Sequence, residues 1–94
     1  MSNLYKEREI GQEAERIIGS QIWQDAWSAY RGRILEEIEA APSNGQETVM
    51  HLKRLLAAAT AARAHLERIM ADGAVAVKMI ELEERKKGLR RVFG

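Results

Sequence analysis

Apolar residues recur along most of this chain at helical spacing. Leu52, Leu55, Ala59, Ala62, Leu66 and Ile69 are separated alternately by three and four residues, the pattern of a helix that buries one a/d stripe. Gly73, Ala76 and Ile80 extend the same register, and Leu56, Met70 and Val77 widen it. The run from Leu55 to Ala62 is rich in strong helix formers. Upstream, Trp23, Trp27, Tyr30, Ile34 and Ile38 describe one helical face, and Ile10, Ala14, Ile17 and Ile18 describe another stretch of it.

The breaks between these stripes are turn-forming residues. Gly19-Ser20 predicts either a kink or an end to a short helix over 4–18, with Ser20 capping a helix over 21–40. Ala41-Pro42-Ser43-Asn44-Gly45 predicts a turn over 41–45, because the residue before proline is pushed out of helical geometry. Ser43 with Gln46, or Asn44 with Glu47, has capping-box spacing for a helix over 46–72. Asp72-Gly73 predicts its end, with Gly73 as a left-handed cap. Residues 74–87 read as a possible further helix. Its first half is ambiguous with a strand, and Glu81/Arg85 and Glu83/Lys87 support its second half by i,i+4 pairing. Gly88 then predicts a stop, leaving a flexible basic tail over 88–94.

The predicted fold is all-α: an antiparallel helical hairpin of two long helices, a short N-terminal helix and a partly ordered C-terminal basic segment, in one domain. Folding about the proline turn pairs positions whose numbers sum to about 86. Trp27 then faces Ala59, Trp23 faces Ala62 and Arg63, Tyr30 faces Leu56, Ile34 faces Leu52, and Ile17 faces Ile69. Large residues meet small ones, as interdigitated packing requires. Two helices cannot cover Ile18, Ile22, Leu35, Leu55, Ile69 and Val77 together, so the stripe Trp23, Trp27, Tyr30, Ile34, Leu52, Leu55, Ala59, Ala62, Leu66 and Ile69 is expected to build a homo-oligomer as well as a core, or the C-terminal segment folds back as a third helix.

Composition narrows the chemistry. The chain has 94 residues, 46% of them hydrophobic and 31% charged, with a net charge of +1. That balance excludes a disordered or a polyionic chain. The absence of cysteine excludes disulfides, thiolate metal sites and a cysteine nucleophile. No apolar run is long enough to span a bilayer and the N-terminal residues do not read as a signal peptide. The expected location is therefore cytoplasmic, or host cytoplasm or virion for a phage-encoded chain. His51 and His65 lie 14 residues apart, too far for one site on one helix. Glu36, Glu37 and Glu39 lack the Glu-x-x-His spacing of a carboxylate dimetal site. Phosphate-cradling loops and nucleophile elbows are absent. No cofactor, no metal and no catalytic activity are expected.

The strongest local signal is basic. Arg85, Lys86, Lys87, Arg90 and Arg91 place five positive charges in the last ten residues, with no acid among them. Contact with a phosphate backbone, docking on an acidic protein and simple solubility all fit this segregation. Sequence-specific DNA reading does not, since no helix-turn-helix, zinc-finger or RRM signature is present.

Gly11-Gln12-Glu13-Ala14 with Ile17-Ile18, then Trp23, Trp27, Ile34 and Glu37 before Ala41-Pro42, then Gln46-Glu47 and Leu52, Leu55, Leu66 and Ile69 up to Gly73, form one layout over residues 11–73. It resembles small helical-hairpin proteins of tailed bacteriophages and prophages encoded near the packaging (terminase and portal) genes. The resemblance implies an oligomer acting in genome packaging or head completion, in the manner of a small terminase subunit, with a phage packaging or head protein as partner. Small terminase subunits generally place a DNA-binding helical domain before an oligomerisation hairpin, and this chain is too short for both. Trp-x-Gly, which marks the turn of another class of helical hairpins, is absent from Pro42-Ser43-Asn44-Gly45. The alternative expectation is a bacterial coiled-coil adaptor or regulatory module that binds another protein.

Overall fold

A computed structural model describes residues 3–93, with side chains through Arg90. It contains three helices, α1 (Leu4–Gly19), α2 (Gln21–Ala40) and α3 (Gln46–Phe93), and no strand among the described residues. The all-α expectation is met.

Local chemistry sets the starts and stops. Asn3 caps α1, its side-chain oxygen accepting from the backbone N–H of Tyr5 and Lys6 at 3.1 and 3.2 Å. Ser20 caps α2: its hydroxyl accepts from Trp23 N–H and donates to the Ile17 carbonyl. The helical run therefore breaks at Ser20, whose backbone is extended (φ −72°, ψ 143°). Ala41 is extended as well, as the position before Pro42 requires. The α3 start differs from expectation. Neither Ser43 nor Asn44 holds the position before the first helical residue; Gly45 does, and its carbonyl accepts from Val49 N–H. Gly45 N–H also donates to the Pro42 carbonyl at 2.8 Å, and a Cβ on Gly45 would lie 3.1 Å from that oxygen. The tightness of this turn selects glycine over the capping serine or asparagine.

The larger correction is at the C-terminal end. Asp72-Gly73 does not end the helix, Gly73 is not a left-handed cap, and Gly88 does not stop it: α3 is continuous over 48 residues, with no positive-φ residue among those described. Residues 74–87 are helix rather than a separate element, and residues 88–93 are helical rather than a flexible tail; Gly94 lies outside the described residues. A glycine costs a helix about 1 kcal/mol. Around Gly88 the chain places Glu81/Arg85 and Glu83/Lys87 at i,i+4 spacing and cations toward the C-terminal end of the helix dipole, both of which favour helix.

The chain divides into two compact units, Met1–Arg16 with Leu66–Gly94, and Ile17–His65. In the first, Gly11 and Ala14 of α1 and Gly73, Ala76 and Ile80 of α3 are buried. The two glycines set the spacing. A Cβ on Gly11 would lie 2.6 Å from the Gly73 Cα, and a Cβ on Gly73 would lie 2.6 Å from the Gly11 Cα. Gly73 is thus used for the close approach of two helix backbones. In the second unit, Ile34 of α2 and Leu52 of α3 are buried, at 4% and 6% exposure.

The same substitution at two helical glycines has opposite expected signs. Gly73→Ala puts a methyl group into a backbone that cannot yield, and is expected to destabilise by about 1–3 kcal/mol. Gly88→Ala meets nothing within 4 Å and is expected to stabilise by up to about 1 kcal/mol through helix propensity. Urea unfolding followed by circular dichroism measures both; a neutral or stabilising Gly73→Ala would contradict the close crossing.

Candidate functional site

Helix α3 presents an a/d seam through Val49, Leu52, Leu56, Ala59, Arg63, Leu66, Met70, Gly73, Val77 and Ile80, all buried or half-buried. Every second member of it, from Leu52 to Ile80, belongs to the predicted stripe. The members between differ in the second unit, where Leu56 and Arg63 turn inward and Leu55 and Ala62 are exposed. Of the other stripe residues, Trp23, Trp27, Ala59, Leu66 and Ile69 are half-buried, Ile34 and Leu52 are buried, and Tyr30 is 44% exposed.

Arg63 is the unexpected seam residue. Its guanidinium carbon lies 5.1 Å from the Trp27 ring centroid, a cation–π arrangement worth about 0.5–1 kcal/mol at a partly exposed site. Helical side chains lean toward the N-terminus. Arg63 therefore reaches back toward the level of Ala59, and its guanidinium lies over the Trp27 ring. The alkyl stem covers apolar surface while the charge stays near water. Trp23, Trp27 and Arg63 together line a groove with Ile18, Gln24 and Ser28. A second groove on this unit is lined by Tyr30, Arg33, Ile34, Glu37, Leu52 and Leu55, so Tyr30 and Leu55 share one exposed flank. Arg33 and Glu37 form an exposed i,i+4 ion pair at 3.4 Å beside it.

The predicted contact residues Arg85, Lys86, Lys87 and Arg90 are exposed on α3. Position 91 is helical, and the Arg91 side chain lies outside the described ones. These cations are carried on a helix at defined spacing rather than on a coil. Lys86 and Arg90 are one turn apart on one face, and Lys87 is adjacent to it.

His51 and His65 are both exposed, as are Glu36, Glu37 and Glu39. Among the described residues no three His, Cys, Asp or Glu side chains gather in a group able to hold a metal ion. No helix among them is long and apolar enough to cross a membrane.

The signals that sequence reasoning missed were present. A heptad counted from Val49 reaches Ile80 without a gap only if Arg63 is admitted to it. Admitting a cation to the seam is justified when an indole lies opposite.

No family model, curated protein or solved structure matches this chain.

Because Trp27 is half-buried, Trp27→Ala is expected to cost about 1–3 kcal/mol, short of the ~3–5 kcal/mol of a fully buried indole. Urea unfolding gives the value. A variant with wild-type stability would remove Trp27 from the core.

Proposed function

We propose that the chain is a non-enzymatic, self-associating helical hairpin of phage type that acts in genome packaging or head completion, with its basic C-terminal helix end contacting DNA. The observation that carries the self-association is exposed apolar surface: Ile22 is 81% exposed, and Met50, Val75, Leu82 and Leu89 are each more than half exposed.

The hairpin reading is supported in the second unit by burial of Ile34 with Leu52 and by Arg63 over Trp27. The packaging role rests on the layout of residues 11–73 and on the segregated charge. Without the five cations of residues 85–91, the remaining chain would carry a net charge of −4, from +1 less 5. A phosphate backbone would meet Lys86 and Arg90 as exposed cations one turn apart on an already formed helix, which costs less ordering entropy on binding than a coil. The partners on this reading are further copies of the chain, a packaging or head protein, and DNA bound without sequence preference.

Light scattering is expected to give a dimer or larger species. Retention on double-stranded DNA is expected to weaken with salt at a log–log slope of about −4 to −5 if all five cations touch phosphate, and to vanish when residues 85–94 are removed. A monomer indifferent to DNA would instead fit an adaptor that binds another protein's helix.

A further inference from the structure

The basic end of α3 carries its charge on more than one side. From Glu81 to Arg90 every residue is exposed, and the stretch is helix throughout. Lys86 and Arg90 lie within about 40° of each other around the helix axis. Arg85 and Lys87 stand about 100° to either side of Lys86. A flat polyanion therefore reaches Lys86 and Arg90 with one flank and leaves the other flank unmet. The acids are placed differently. Glu81 and Glu84 lie about 140–160° from Lys86, on the back of this face. Glu83 is the one acid of the stretch on the near side, at i,i+4 spacing to Lys87.

A surface that meets both flanks at once has to be concave, with a row of negative charge along each edge. The major groove of double-stranded DNA has that form. It is about 12 Å wide and 8.5 Å deep between two phosphate rows, and it admits an α-helix of about 10–12 Å diameter. We propose that residues 85–90 lie along the major groove of double-stranded DNA. Lys86, Leu89 and Arg90 face its floor, and Arg85 and Lys87 reach the phosphate rows on opposite sides. Leu89, 57% exposed, gives the floor an apolar group that suits thymine methyls. Glu81 and Glu84 are turned away from the phosphates. This rests on the DNA contact proposed above and names the groove that receives it. The major groove of A-form RNA is too narrow and deep for the same entry.

The full chain is titrated against one mixed-sequence DNA duplex and the RNA duplex of the same sequence, by fluorescence anisotropy over a range of salt. Arg85→Gln and Lys87→Gln change exposed side chains on opposite flanks, and circular dichroism confirms their helical content. Each is expected to lower the log–log salt slope on DNA by about 0.9, the share of one phosphate contact. The RNA duplex is expected to bind at least about tenfold more weakly than the DNA. A slope that falls for only one of the two variants, or for neither, would overturn the groove placement and leave DNA contact standing. Equal affinity for the RNA duplex would do the same. A wild-type chain that does not bind DNA would overturn both readings.

Discussion

One heptad seam on α3 supplies most of the apolar contact that the chain makes within itself. The buried residues Leu52, Gly73, Ala76 and Ile80 all belong to it or flank it. Its first half serves α2 and its second half serves α1. A helix that packs on one side only buries a single stripe. The short core and the long exposed apolar residues therefore have one cause.

The two halves of the seam solve the packing problem differently. In the second unit, the guanidinium of Arg63 lies over the half-buried Trp27 indole. This contact stays half-wet and tolerates a cation. Opposite α1, Gly11 and Gly73 bring the backbones together, with Ala14 and Ala76 buried beside them. That contact has no room for a methyl group. The first half can accept polar neighbours and adjust; the second fixes a register.

Much of the secondary structure was legible from the residues. Ser20 as a cap, Pro42 as the turn and the 3–4 spacing gave α1, α2 and the start of α3 to within a residue or so. Gly73 was not legible as a local signal, because Asp-Gly after a long apolar run is a sound helix stop. Only the tertiary partner reverses that reading. The hint lay in the pairing arithmetic, since Gly11 and Gly73 fall near the same antiparallel sum as Ile34 and Leu52. Leu55 against Leu56, and Ala62 against Arg63, could not be separated by spacing alone. Both choices keep a seven-residue repeat through Leu52, Ala59 and Leu66, and hydrophobicity favours the choice that puts Leu55 and Ala62 inward. The competing term was the reach of an arginine toward an indole.

The continuity of α3 changes what the basic segment means. On a flexible tail, Arg85 to Arg91 would be a diffuse cloud of charge able to follow any acidic surface. On a helix, Lys86 and Arg90 stand one turn apart, with Arg85 and Lys87 to either side, all exposed. These four side chains spread over more than half of the helix circumference, so a flat acidic surface meets a defined subset of them and not the whole block. That subset is already held at fixed spacing, and meeting it costs less ordering entropy than gathering the same charges from a coil.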